Sequence, residues 1–437
     1  MPWPKVALAA ALLLSAVSTV ADPPASGASA GGVSAVSAGS AHTCAISASS
    51  GSVLCWGSNA YGQLGDGTTT SRLTPTAVIG LQNAIAIAAG QRHTCAVTIG
   101  GAAVCWGDNG QGQLGDGRAC GTICAQPVAV TGLSSGIEAV ATGLLHSCAL
   151  TGAGDVRCWG NNFHGQIGNN QVGTLVTVPA AAVSLGGDAA SIAAGDWHSC
   201  AVTGAGAAKC WGENLNGQIG NGLFGVNQPS PASVIRLGGS AVDIAGGERH
   251  TCAVLSSGAI ACWGRNDFGQ LGTGSSGPLQ TTPVGVAGLQ GAANAIAAGG
   301  NHNCAVAAGS SVWCWGSNGS GELGDGTMIT RAAPVEVAEL IDTLAVAAGL
   351  SHSCALDVVG RLSCWGNNAD GQLGDGTQDS SPAPVEKPSL GTVLFASMRD
   401  GPTALYMTDV AGGLATGLPA AVDYAKPDWS PDGRRIA

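Results

Sequence analysis

Apolar and polar positions alternate in short bursts along this chain. "IAIAAG" (Ile85 to Gly90) alternates apolar and small residues; "HTCAVT" (His93 to Thr98) and "AAVCWG" (Ala102 to Gly107) follow, with Gly100 and Gly101 between them. Short apolar runs around a glycine turn predict a β-hairpin. After a glycine-rich stretch, "PVAVTGL" from Pro127 supplies a further strand, proline being tolerable at a strand start. The unit holds three or four short strands, the size of one propeller blade.

The unit then repeats. Trp56, Trp106, Trp159, Trp211, Trp263, Trp315 and Trp365 each sit in Cys-Trp-Gly, at intervals of 50, 53, 52, 52, 52 and 50 residues. A histidine leads each by 13 or 14 positions: His42, His93, His146, His198, His250, His302 and His352. A period near 50 marks a propeller or solenoid, because one unit cannot bury its apolar face without neighbours. Length alone, 437 residues, suggests about three domains. The repeats replace that expectation with one all-β domain, a seven-bladed β-propeller over residues 32–388.

Composition narrows the class. Seventy-one glycines, 45% hydrophobic and 10% charged residues are too apolar for disorder and too rich in turn formers for helices. A net charge of -11, from 16 Lys+Arg against 27 Asp+Glu, argues against a nucleic-acid partner, which calls for a basic face. In "CWGDNGQGQLGDG" (Cys105 to Gly117), glycines permit a tight excursion between strands, Leu114 is an apolar plug, and Trp106 packs between blades. Asp116 is expected to bond turn amides. Its "GDG" recurs at Asp66, Asp325 and Asp375 but becomes Asn169 and Thr273 elsewhere, unlike a ligand site.

"AGQRHTCAV", "CWGDNGQGQLGDG" and the following "PVAV" resemble the repeat of the regulator of chromosome condensation family, in all seven copies. Kelch propellers have a similar period, but their glycine doublet and spaced aromatic pair are missing. The resemblance implies a seven-bladed β-propeller. The family's best-known member is a nuclear exchange factor for a small GTPase that also binds chromatin. Exported bacterial members, including a secreted inhibitor of β-lactamase, are nearer in context, although that inhibitor's blades lack these cysteines.

The context is set by the N-terminus. Lys5 precedes the apolar run Val6 to Val17, and Thr19, Val20 and Ala21 offer small residues for cleavage. Residues 1–21 thus read as a signal peptide, with twelve apolar residues where a span needs roughly 20. Residues 22–31 read as a flexible leader. The expected location is secreted or periplasmic, with no membrane span after cleavage.

Export bears on the 16 cysteines. Fourteen form pairs ten or eleven residues apart: Cys44 and Cys55, Cys95 and Cys105, Cys148 and Cys158, Cys200 and Cys210, Cys252 and Cys262, Cys304 and Cys314, Cys354 and Cys364. A hairpin turning midway sets the two opposite each other, within reach of a disulfide. Seven intrablade disulfides are expected, with buried free thiols as the alternative. Cys120 and Cys124 break the pattern. They lie in an extended loop of the second blade, where a local bridge is expected and a reactive CxxxC redox site is the alternative. Metal at the repeat cysteines would have to recur seven times, so no metal and no cofactor are expected.

Seven identically placed histidines serve the blades rather than one catalytic centre, each expected to bond backbone at the strand entry. Function is expected in the loops before the histidine and after the tryptophan, which share one rim. Trp197, Arg249, Arg92, Tyr61, Phe163 and Phe268 are the candidate partner-binding residues there, being of types that dominate binding hot spots. The alternative for the aromatics is packing against neighbouring blades. Residues 389–437 resemble one repeat of a Tol-system propeller, with Arg399-Asp400-Gly401 and "WSPDG", and read as part of a second, truncated propeller.

The expected protein is therefore a monomeric exported scaffold that binds an unidentified protein or cell-envelope macromolecule through one loop face, without catalysis. One alternative is an enzyme with a site in the propeller mouth, for which Asp196, Glu248, Asp267 and Asp370 are present but dispersed. The other is guanine-nucleotide exchange, as in eukaryotic family members.

Overall fold

The computed structural model describes residues 32–118 and 120–386, and beyond them the strands Val393–Ser397, Ala404–Thr408 and Thr416–Gly417. The expected signal peptide and leader lie outside the described residues. In the first blade, β1 (Val33–Ala38), β2 (His42–Ser47), β3 (Val53–Gly57) and β4 (Arg72–Ala77) form one antiparallel sheet in sequence order. Six more four-stranded sheets follow over residues 84–129, 137–181, 189–233, 241–285, 293–336 and 343–386. The three strands beyond residue 392 pair with one another in a separate sheet, and none adds to a blade.

The Cys-Trp-Gly step explains itself in the register. β2 and β3 pair Cys44 with Cys55 and His42 with Gly57, while the ladder between β3 and β4 slips at Trp56. Gly57 leaves that bulge with φ at 101°, a conformation costly for any residue with a Cβ. A Cβ there would meet the Ala41 carbonyl, which instead accepts a hydrogen bond from Ser58 N at 2.8 Å. The glycine thus joins the two loops at one rim of the blade.

Each blade boundary has its own core. At the first, Cys44, Ile46, Val53, Cys55 and Leu64 of blade one pack on Ile87, Ala96 and Trp106 of blade two. At the last, Leu356, Leu362 and Leu373 of blade seven pack on Val33, Leu54 and Trp56 of blade one, which closes the ring. All seven repeat tryptophans are fully buried. Burying an indole removes roughly 200 Å² from water, an upper figure of about 5 kcal/mol. The indole N–H cannot be left unpaired, and Trp106 Nε1 donates to Gln63 O at 2.8 Å across the boundary. The same bond recurs from Trp56 to Gln372 O and from Trp159 to Gln113 O.

The expected disulfides are formed. The seven hairpin pairs bridge directly opposite residues, with Cα–Cα separations of 4.0 or 4.1 Å, and Cys120 is bonded to Cys124.

The histidines serve the blades, but not by bonding backbone at their own strand entry as expected. His42 Nε2 lies 2.9 Å from Thr94 Oγ1 in the next blade, and that hydroxyl donates to Gln63 O at 2.9 Å. Because the hydroxyl has given its proton away, Nε2 must carry the imidazole hydrogen. At His250 the partner is Asn303 Oδ1, a pure acceptor, whose Nδ2 donates to Gln270 O. The belt runs through Ser147, Ser199, Thr251 and Ser353 and closes from His352 to Thr43. Burial holds these imidazoles well below their usual range, at about 4 for His42, His250 and His302 and about 3 for His93, His146 and His198.

Candidate interaction face

Strand direction divides the propeller into two faces. First strands end, and second strands begin, at the rim where third strands end and fourth strands begin. The short loop before each histidine and the long loop after each tryptophan therefore share one face. Val33 and Glu386 begin and end the ring at the opposite face, beside the hairpin turns, where Val33 N donates to Gly360 O.

At the centre of the loop face the first strands enclose a channel of about 290 Å³. Its mouth is tightened by glycine. A Cβ on Gly195 would meet Gly247 O and the His198 ring. The residue after this glycine bonds onward around the ring, as in Asp196 N to Gly247 O at 3.3 Å and Leu350 N to Gly39 O at 3.3 Å.

Most of the mouth is neutral, but blades four and five are not. Burial, then the neighbouring Glu248 and Glu213, push the Asp196 carboxyl up to about 7, against the pull of Arg249. Glu248 carries Arg249 at 3.6 Å and Arg265 at 4.0 Å, and accepts from Asn301 Nδ2 at 3.0 Å. Glu213 is buried and accepts from Gln218 Nε2 at 3.0 Å. Deeper in the channel wall, Asp243 accepts from Ile244 N at 2.9 Å and from Ile296 N of the next blade at 3.4 Å, and burial raises its carboxyl to about 7. Its register position is alanine in five blades (Ala35, Ala86, Ala139, Ala295, Ala345) and Ser191 in another.

Outside this polar centre lies exposed apolar surface on the long loops of blades three and four. Phe163 is 53% exposed and Phe224 61%, with Val172, Leu215, Leu223 and Val226 also open to solvent.

The repeat, the sheets and the closed ring now have counterparts. Residues 124–409 match the RCC1-like domain, residues 50–97 match the regulator of chromosome condensation (RCC1) repeat, and residues 33–63 and 84–113 match a second profile of that repeat. The chain belongs to the RCC1-like family.

Among curated relatives, the ultraviolet-B receptor UVR8 of Arabidopsis thaliana is 33% identical over 309 residues, 68% of this chain and 68% of its own length. The human E3 ubiquitin-protein ligase HERC2 is 31% identical over 300 residues, 66% of this chain but 6% of that protein. Among solved structures, yeast RCC1 (Prp20) bound to Kap60 aligns with a TM-score of 0.70 at 22% identity, covering 78% of this chain and 85% of that one. Human WBSCR16 aligns with a TM-score of 0.69 at 23% identity, covering 78% and 95%. A structure of Prp20p from Saccharomyces cerevisiae, whose title reports binding to Gsp1p and histones, gives 0.68 at 20% identity over 84% and 91%. At these identities the structural likenesses speak to the fold.

On this RCC1-like frame all six candidate residues lie on the loop face, in blade-crossing pairs or on the rim. The Arg92 guanidinium of blade two sits 4.3 Å over the Tyr61 ring of blade one. Trp197 of blade four meets His164 of blade three edge-on at 5.2 Å. Phe268 lies under Arg265 at 5.4 Å, beside the Arg249–Glu248 pair, and Phe163 stands in the open. Tyr61 and Trp197 are thus half-buried against neighbouring loops, while Phe163 and Phe268 are exposed.

The acids expected to be dispersed are not all so. Asp196 and Glu248 converge at the mouth because the ring sets successive pre-histidine loops side by side. Asp267 is paired instead with Arg265 at 2.7 Å, and Asp370 belongs to blade seven. Glu213, Arg265 and Asp243 were missing from the sequence-based site. Glu213 and Arg265 occupy the variable step after Trp-Gly that elsewhere holds Ser58, Asp108, Asn161, Ser317 and Asn367, so the signal was present.

Proposed function

We propose that this RCC1-like chain is an exported, non-catalytic module that binds another protein through the loop face of blades three to five. The observation that carries this reading is the proximity of exposed apolar loop residues on blades three and four to the Asp196–Glu248–Arg249–Arg265 cluster. A few aromatic and arginine anchors in an apolar rim are what a protein partner engages. Membership of the RCC1-like family, with UVR8 33% identical over 68% of both chains, supports an interaction role. Eight disulfides support an oxidising compartment, and among the described residues no helix is long and apolar enough to cross a membrane.

The test compares partner capture by the native chain, by a Trp197→Ala, Arg249→Ala double variant shown to be folded, and by Ile99→Ala on the opposite face. A partner lost with the first variant and kept with the second supports the reading. Equal capture by all three sinks it. A site for hydrolysis in the channel mouth is the second reading, favoured by the raised Asp196 carboxyl beside Glu213 and Glu248. An activity abolished by Asp196→Asn would establish that alternative.

A further inference from the structure

The extended loop of blade two carries a cysteine at a register position that holds arginine in blades one and six and Ser381 in blade seven, the other blades with an aspartate in this turn. In blade one Arg72 pairs with Gly57 across the outer ladder and its guanidinium lies 2.7 Å from Asp66. In blade six Arg331 pairs with Gly316 and lies 3.1 Å from Asp325. In blade two the residue paired with the corresponding Gly107 is Cys124, and the carboxylate is Asp116. Asp116 therefore has no guanidinium from that position, and Arg118 is turned away, donating to Gly110 O at 3.1 Å. Its carboxylate accepts instead from turn amides, as expected, with Arg118 N on Oδ1 at 2.8 Å and Cys120 N on Oδ2, and two sulfurs lie beside it. The Asp116 carboxylate and the sulfurs of Cys120 and Cys124 all lie within 4.8 Å of one another.

We propose that this loop is a redox-gated site for a thiophilic divalent cation, zinc foremost, closed as the Cys120–Cys124 disulfide and opened by a dithiol reductant to a ligand set of Asp116, Cys120 and Cys124. Charge is the first argument, because a metal ion would supply to Asp116 what Arg72 and Arg331 supply to the aspartates of blades one and six. The second is a ready-made supporting shell. Asn109 Nδ2 donates to Asp116 Oδ1 at 2.9 Å, as Asn59, Asn318 and Asn368 do in their own turns, and here, alone among the described turns, also points at a sulfur, Cys120 Sγ at 3.7 Å, which sets carboxylate and sulfur side by side. Cys120 N donates to Asp116 Oδ2 at 2.9 Å, which holds the loop around the carboxylate. The third is access. Cys120 is half-buried, whereas the ladder cysteines are sealed between blades.

The chemistry balances with the reductant named. One thiolate of the dithiol attacks Cys120 Sγ; a mixed disulfide forms, the Cys120–Cys124 bond breaks, and Cys124 leaves as a thiolate. The reductant's second thiolate then attacks the mixed disulfide, which releases the cyclic oxidised reductant and the Cys120 thiolate. Both of the reductant's protons go to solvent. The cation takes two thiolates and one carboxylate oxygen, with water as the fourth ligand, at bonds of about 2.3 Å to sulfur and about 2.0–2.2 Å to oxygen. Three protein ligands and one open position are available once the sulfur–sulfur bond is gone.

The test uses the full chain under graded dithiothreitol, with alkylation and peptide mapping, then Co(II) as the spectroscopic probe and Zn(II) in competition for stoichiometry. The expected result is labelling of Cys120 and Cys124 at a reductant concentration at least tenfold below that which labels the ladder cysteines. One Co(II) per chain should then bind with a thiolate charge-transfer band that Cys120→Ser, Cys124→Ser abolishes. Asp116→Asn keeps an acceptor for Asn109 and should weaken Zn(II) at least tenfold, which keeps the test open should the double variant misfold. Reduction of the loop no sooner than the ladders overturns the proposal. So does a reduced chain without the band, a band surviving the double variant, or unchanged affinity in Asp116→Asn.

Discussion

His352 Nε2 in the last blade lies 2.9 Å from Thr43 Oγ1 in the first, the imidazole–hydroxyl bond that joins the other neighbouring blades except five and six, where the Asn303 amide takes the hydroxyl's place. Thr43 passes its own proton to Gln372 O at 2.8 Å, the carbonyl that also accepts Trp56 Nε1 at 2.9 Å. Ring closure thus repeats the internal joints in chemistry as well as in shape.

We predict that Thr43→Val, which keeps the side-chain volume but removes the hydroxyl, destabilises the ring by about 1–3 kcal/mol, the cost of leaving buried polar groups unpaired. Thr251→Val at an internal joint should cost a similar amount. Urea midpoints of the two variants against the parent check this; a closure variant with no loss would show that the joint contributes nothing.

Acid should unfold the propeller steeply. Six histidines are neutral in the fold down to about 3 or 4 but protonate near 6.5 once unfolded. Below 6.5 the unfolded chain therefore binds more protons, and stability falls with pH at about 1.4 kcal/mol per proton per pH unit. Asp196 and Asp243 act the other way: raised to about 7 in the fold, they bind protons before the unfolded chain does and add stability as pH falls from 7 toward 4. Six groups outweigh two, so the denaturation midpoint should fall between pH 6.5 and 4. A flat profile over that window would refute the neutral-histidine belt.

Deleting one ladder disulfide, with Cys200→Ala, Cys210→Ala, should cost about 2–3 kcal/mol for a closed loop of this length. Native-state mass and equilibrium unfolding of the variant give the comparison. A loss well under 1 kcal/mol would place the stability of the blade in its ladder and core instead.

Gly195→Ala should fail to fold or lose several kcal/mol, since its Cβ would meet Gly247 O and the His198 ring. Gly285→Ala, where a Cβ meets nothing within 4 Å, should be neutral or gain up to about 1 kcal/mol. Thermal midpoints of the two separate a tight channel mouth from a generic glycine effect.

Blade number, strand order and disulfide pairing were legible because they are encoded within one repeat and then repeated. The histidine partners were not, because each lies about a repeat away, as Thr94 does from His42, and a reading confined to one hairpin finds only backbone. The signal was nonetheless in place. Every repeat histidine is followed by Thr, Ser or Asn, from Thr43 through Asn303 to Ser353, and that residue receives the preceding blade's imidazole. The charged cluster was hidden differently. Asp196, Glu213 and Glu248 come from three loops in two blades, and only the angle between adjacent blades brings their fields together.

Each blade is one consecutive stretch of chain, so among the described residues no strand is borrowed to lock the first blade to the seventh. Six boundaries are crossed by a peptide connection and the seventh is not. Tension applied across the ring should therefore part it between Val33 and Gly360 before anywhere else, and peel blades from both sides of that gap. Within each freed blade the cystine between the two middle strands would short-circuit the hairpin, so that pulling lengthens the chain by the outer strands and linkers alone. The molecule resembles a split ring of stapled pages: quick to open at one edge, and slow to lose the pages themselves.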